Sequence, residues 1–270
     1  MSTATGRKHA DPRPALAAAY AELFSAWLAA GDSPGKLEEI AGALCSRTTG
    51  IDEPGWSLYL NQVSGLGVGQ PATQQMVDDA LTFYGLGSRP FVVSVDPEAR
   101  PRSLAGWLEE RGLRRRLILA RTQRMVEDPP VAPSAFQVQV IGPDRAEAYA
   151  ALAAHGLPAS VARGVAALVG HPGWTHSLAY EGTTPVAAGA LFVHDGMGTL
   201  CWSATHSAHR RRGAHAALIA HRLIQAAQRG CASVAVETLE PSSGRPGAAL
   251  RNLTRAGFQT VHQLRVYVAD

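Results

Sequence analysis

LCWSATHSAHRRRGAHAALIAHRLIQAAQRG, from Leu200 to Gly230, decides how this chain is read. It opens as a strand mixing apolar and polar positions, with Leu200, Cys201, Trp202 and Ala204. An Arg-Arg-Arg-Gly tract turns it into a helix whose apolar side is Ala214, Ala217, Leu218, Leu223, Ile224 and Ala227. His221, Arg222, Gln225, Gln228 and Arg229 fall mostly on the other side, and Gly230 should stop the helix. Backbone N–H groups at the start of such a helix, flanked by Arg210, Arg211 and Arg212, make a seat for a pyrophosphate. Gly213 lets the backbone come close to the phosphates.

Strand, Arg-x-x-Gly-x-x-Ala, long helix resembles the acyl-CoA-binding motif of the GNAT superfamily of N-acyltransferases, Gln/Arg-x-x-Gly-x-Gly/Ala. Arg210 and Gly213 match in place. His215 departs from the pattern: it takes the last small position, between Ala214 and Ala216, and narrows the seat unless it points outward. The resemblance implies acetyl-CoA as co-substrate, with Ser203, Ala204 and Thr205 pairing through their backbone with the pantetheine arm. It places the pyrophosphate on Arg210, Arg211, Arg212, Gly213, Ala214, His215 and Ala216, with Asn252 approaching from a late helix.

The sequence on either side supports this reading. A strand is expected over Phe136 to Ile141, a helix over Arg145 to Ala154 capped by Asp144, and a second helix over Ala159 to Val169. Strands over Ser177 to Tyr180, Val186 to Val193 and Thr199 to Thr205 precede the central helix. Ser233 to Glu237, a helix over Gly247 to Arg255 and a closing strand through Tyr267 follow it, and this is the GNAT order. Upstream, helices are expected over Ala15 to Ala30, Lys36 to Cys45, Thr73 to Tyr84 and Leu104 to Arg111. Strands are expected over Trp56 to Val63, Phe91 to Val95 and Arg116 to Met125.

The two sets share a register. Gly85 and Gly230, Arg100 and Arg245, Pro101 and Pro246, Leu108 and Leu253, and Gly112 and Gly257 are all 145 residues apart. Under that offset Arg210 to Gly213 fall on Gly65-Leu66-Gly67-Val68, so the first copy has no arginines and no phosphate seat. Gln70 also breaks any dinucleotide fingerprint there. The expected fold is therefore α/β, with two GNAT-like domains, each a mixed, mostly antiparallel sheet flanked by helices. Residues 1–12 are a disordered tail, 13–126 the degenerate domain, 127–134 a proline-rich linker and 135–270 the acyl-CoA-binding domain.

Composition narrows the partners. A net charge of +3 on 270 residues is too small to argue for nucleic acid or a membrane surface. Cys45, Cys201 and Cys231 stand far apart, as in a reducing cytoplasm, and no apolar run is long enough to span a bilayer. His206, His209, His215 and His221 lack the spacing of a metal set, so no metal is expected.

Acyl transfer to an amine needs a base for the ammonium, a polarised thioester and a proton for the thiolate. GNAT enzymes often carry a Glu on the fourth strand and a Tyr in the last helix; this chain has Thr199 and Cys201 in the first region and Leu253 at the second position. The remaining candidates are Glu237, His206 and Tyr267, with Glu237 preferred because the fifth strand opens toward the thioester in that fold. The sequence thus reads as a cytoplasmic acetyl-CoA-dependent N-acetyltransferase of a small-molecule amine, and a homodimer fits this reading. The alternative is a non-catalytic CoA-binding or scaffold protein.

Overall fold

The computed structural model describes residues 10–29, 35–48, 51, 54–85, 90–127, 135–241 and 245–269. Residues 1–9 of the expected tail and 128–134 of the expected linker lie outside this set. The first half contains α1 (Arg13–Ala29), β1 (Gly35–Ile40), β2 (Ala43–Thr48), α2 (Pro54–Leu60), β3 (Gln62–Ser64), α3 (Gln74–Thr82), β4 (Phe91–Val95), α4 (Leu104–Glu110) and β5 (Arg114–Met125). The second contains β6 (Gln137–Val140), α5 (Ala146–Ala153), α6 (Ala159–Ala167), β7 (Trp174–Glu181), β8 (Thr184–His194) and β9 (Met197–Thr205). It continues through α7 (Ala214–Gln228), β10 (Ser233–Pro241), α8 (Ala248–Arg255) and β11 (Gln259–Ala269). No described helix is long and apolar enough to cross a membrane.

Three expectations are corrected. Lys36 to Cys45 is not a helix but most of a hairpin, because Ala41 and Gly42 both take positive φ (54° and 76°), the geometry of a tight two-residue turn. Trp56 to Val63 is not a strand: Pro54 begins α2, which runs to Leu60, and only Gln62–Ser64 is extended. Asp144 caps nothing; Gly142 starts a 3-10 turn over Pro143–Arg145, and no side-chain cap bond forms.

The duplicated register is present in the backbone. Gly85 and Gly230 leave α3 and α7 at φ 66° and 73°, while Gly112 and Gly257 leave α4 and α8 at 87° and 84°. The strands form one sheet in the order β1-β2-β3-β4-β11-β5-β10-β9-β8-β7-β6. Two strands have changed places in it. β11 pairs with β4, from Arg265 opposite Val95 to Ala269 opposite Phe91. β5 pairs with β10, from Ser233 opposite Met125 to Pro241 opposite Leu117. Each half therefore closes its sheet with the last strand of the other.

Strand alternation sorts the layers. On β8, Ala188, Ala190 and Phe192 face the core shared with α1, α5 and α6, whereas Ala187 and Leu191 face α7. On β4, Phe91, Val93 and Val95 join the core that holds residues of α3 and α4. Helix α1 belongs to the first half yet packs on the second: Gly164 of α6 lies so close to Trp27 that a Cβ there would come within 2.8 Å of its Cβ. Ala19, Tyr20, Leu23, Phe24 and Trp27 of α1 are part of that core.

Candidate active site: a groove and a cavity either side of one strand

Strands β9 and β10 run parallel through only three pairs, from Ser233 opposite Met197 to Ala235 opposite Thr199. Beyond them β10 stays with β5 and β9 stays with β8, so the sheet opens into a V. The register of β8 and β9 also shifts between Ala188 and Ala190, at a bulge where Trp202 takes a φ of +51°. Beneath the bulge lies Arg222. It is not on a solvent face, as its position in the helical pattern suggested, but 1% exposed. Its Nε donates to the Leu218 carbonyl at 3.1 Å, and Nη1 donates to the carbonyls of Ala190 and Cys201 at 3.0 and 3.3 Å. Gly189 leaves room for it, since a Cβ there would come within 2.9 Å of the guanidinium. The buried face of α7 is also rotated: Ile219 and Ala226 are inside, while Ile224 and Ala227 are exposed.

One side of the V is a groove of about 810 Å³. Ser203, Ala204, Thr205, Arg210, Arg211, Gly213, Ala214, His215, Ala216 and Asn252 all line it, so the structure brings these expected cofactor residues together. Gly213 precedes α7 at φ 99°, a conformation that an L side chain strains. The first N–H groups of α7 have no intrahelical partners and open into this seat. Asn252 of α8 donates from Nδ2 to His215 Nδ1 at 3.0 Å. Burial and the Arg222 charge lower the His215 pKa to about 4, which keeps the ring neutral and able to accept that bond.

The three arginines divide their work. Arg210 holds the backbone, donating to Thr205 O at 3.2 Å and to His155 O at 2.9 Å, and so ties the loop after α5 across the groove. Arg212 does not line the groove; it pairs with Glu181, which also meets His209 Nδ1 at 2.7 Å. Arg211, exposed and at φ +61°, is the arginine whose guanidinium has no such internal partner among the described residues. The equivalent loop of the first half has no room for a phosphate. A Cβ on Gly67 would lie 2.6 Å from the Arg100 carbonyl, and Arg100 N donates to Gly67 O at 2.8 Å.

The other side of the V is a cavity of about 560 Å³ between the halves. Thr199, Leu200, Cys201 and Trp202 of β9 line it, as do Glu237 of β10 and Leu119 and Arg121 of β5. Tyr20, Tyr59 and the Gly65 loop close it from the first half. Glu237 Oε1 accepts from Arg121 Nε and Nη2 at 2.9 Å each, and Arg121 Nη1 meets Asp96 Oδ2 at 3.0 Å. Burial pushes the Cys201 thiol up to about 12, so it stays a thiol. Burial, reinforced by the Glu237 charge, holds the Tyr59 phenol well above its ordinary range.

The other two residues considered for catalysis lie elsewhere. Tyr267 went with β11 into the first-half core, beside Leu104, Leu108 and Leu113, and lines neither cavity. His206 sits at the turn after β9, its ring 4.2 Å from that of His155, and also lines neither. Among the described residues no three His, Cys, Asp or Glu side chains converge as a metal set. Arg121, Asp96, Tyr20, Tyr59 and Trp202 were not anticipated. The one legible signal was Arg121, a charge directly after the apolar run Leu117 to Ala120 of an expected strand.

No protein-family model matches the sequence, and no curated protein matches it. Solved structures do. A GCN5-related N-acetyltransferase from Kribbella flavida superposes with a TM-score of 0.62 at 18% identity, over 94% of this chain and 95% of that one. A GCN5-related N-acetyltransferase from Sphaerobacter thermophilus gives 0.59 at 14% identity, over 88% and 76%. A tandem GNAT protein from the clavulanic acid biosynthesis pathway gives 0.56 at 13% identity, over 93% and 94%. Likeness at these identities speaks to architecture, and the architecture is plain: this chain has the GNAT fold in tandem, two GNAT-like units sharing one sheet.

Proposed function

We propose that the chain is an acetyl-CoA-dependent N-acyltransferase acting on a small amine, with the cofactor in the groove and the amine in the cavity. A shared fold does not by itself give a shared activity. The observation that carries the reading is local: consecutive residues of β9 wall the two spaces. Thr199 to Trp202 line the cavity and Ser203 to Thr205 line the groove, at the place where β10 has left. A thioester laid along β9 from one side then meets an amine from the other.

In this mechanism the backbone of Ser203 to Thr205 pairs with the pantetheine arm, and the start of α7 with Arg211 holds the pyrophosphate. Glu237, the cavity carboxylate carried by β10, takes the ammonium proton directly or through water. The free amine attacks the thioester carbonyl, the C–N bond forms, and the C–S bond breaks. The nitrogen gives up its second proton as the C–S bond breaks, and that proton goes to the thiolate directly or through water, with Tyr59, still a protonated phenol, available to hydrogen-bond in the same cavity. The test is thiol release from acetyl-CoA across a panel of small primary amines, together with Glu237→Gln. The variant loses about 10²- to 10⁴-fold in turnover with unchanged acetyl-CoA affinity. A wild-type chain that binds acetyl-CoA but releases no thiol with any amine is instead the scaffold that the sequence also allowed.

A further inference from the structure

The cavity between the halves is selective in its charges. Both of its arginines are already matched. Arg121 lies between Asp96 and Glu237. Arg13 meets Asp11 at 2.8 Å and Glu98 at 2.7 Å. Neither guanidinium is left over for a carboxylate on a ligand. Among the described residues of the wall, three carboxylates (Asp11, Asp96, Glu237) stand against two guanidiniums, an excess of one negative charge. Both Arg121 contacts to Glu237 fall on Oε1, so Oε2 remains for a ligand.

A second observation lies beside it. Thr199 is 3% exposed, lines the cavity, and its hydroxyl has no hydrogen-bond partner among the described residues. A buried hydroxyl left unpaired is costly, so whatever fills the cavity beside it, water or a ligand, completes its hydrogen bonding. Thr199 faces Ala235, the residue two before Glu237 on β10, so hydroxyl and carboxylate stand on one face of the opening sheet. The remaining wall is aromatic. Trp202 meets Tyr59 edge-on at 5.8 Å, and Tyr20 meets Tyr59 edge-on at 6.3 Å. Leu119 and Leu264 add an apolar surface.

We infer that the acceptor is a monocationic primary amine with an apolar, ring-sized body and no carboxylate, its ammonium at Glu237 and Thr199 and its body against Tyr20, Tyr59 and Trp202. One positive charge neutralises the wall, and the aromatic faces favour a cation with an apolar stem. A cavity of about 560 Å³ suits a small molecule of that kind. An amino acid would bring a carboxylate into a wall already in negative excess. This inference rests on the cavity being the acceptor site of the proposed transfer.

The test is calorimetry on the full chain without acetyl-CoA, using phenethylamine and three controls. Phenethyl alcohol lacks the charge, phenylalanine adds a carboxylate, and propylamine lacks the ring. Phenethylamine is expected to bind about tenfold or more tighter than each control. Glu237→Gln and Tyr59→Leu should each weaken it about tenfold while keeping acetyl-CoA affinity, which shows that both variants are folded. Equal or tighter binding of any control, or no binding of phenethylamine at millimolar concentration, overturns the inference. Binding and transfer fail separately: phenethylamine bound as expected but never acetylated supports this specificity and removes the transfer reading. Thiol release with amines of another class, and no phenethylamine binding, does the reverse.

Discussion

His176 shows how a single residue makes stability depend on pH. It is 1% exposed on β7, with Nε2 at 3.1 Å from the Val165 carbonyl and its ring against Tyr149 and Trp174. Burial lowers its pKa to about 4, against an ordinary 6.5. Between these values the unfolded chain takes up a proton that the native chain refuses. Stability from this residue is therefore complete above pH 6.5, falls as pH drops toward about 4, and levels off below, for a total loss of about 3 kcal/mol. Urea midpoints measured across that window should fall with acid in the wild type and fall less steeply in His176→Gln. An equal slope in both would place the acid sensitivity elsewhere. Arg222 is the other residue whose meaning lies in burial. Among the described residues its guanidinium has no carboxylate partner and donates to carbonyls instead, two of which flank the bulge beside which the proposed acyl group lies. Such a charge costs desolvation and is retained where it fixes a geometry.

At the scale of elements, the sequence was clear wherever one period ruled. The extent of α7, with its start at Gly213 and its stop at Gly230, was readable although its buried face was not, and so were β4 and the five-point register between the halves. It was misleading where a short segment carried two patterns. Trp56 to Val63 spans the last five residues of α2 and the first two of β3, and alternation across the join imitated one long strand. The turn at Ala41-Gly42 was hidden because alanine seldom adopts positive φ, so no turn residue announced it at that position. The groove was legible because its chemistry is contiguous in sequence. The cavity was not, because Tyr59, Asp96, Arg121 and Glu237 meet only after strand exchange. The arginine tract shows the limit of reading residue type alone: Arg210 and Arg212 brace the loop, and Arg211, with no such partner among the described residues, is the one the proposal gives to the pyrophosphate. Arg211→Ala should weaken CoA binding by about 1.5–3 kcal/mol, the worth of one charge-assisted hydrogen bond. Arg212→Ala should weaken it far less, and calorimetry giving the reverse order would contradict this division.

At the scale of the molecule, β5 and β11 make the two halves depend on each other. Without β11, β4 loses one of its two neighbours, and without β5, β10 loses the partner that runs its full length. Residues 1–126 or 135–270 expressed alone should therefore lack a cooperative unfolding transition, and the two co-expressed should recover one. A cooperative melt from either piece alone would count against the exchange. The exchange also gives the halves different work. The second keeps an open groove at the start of α7, which the proposal gives to the pyrophosphate, while the first has filled the equivalent space with the Arg100 backbone and turned the Gly65 loop into a wall of the cavity. That asymmetry is the centre of the account, and amide hydrogen exchange with and without saturating acetyl-CoA tests it most directly. Protection is predicted over Ser203 to Thr205 and Arg211 to Ala216, with Gly65 to Val68 unchanged. Protection at Gly65 to Val68, or none at the start of α7, would contradict it.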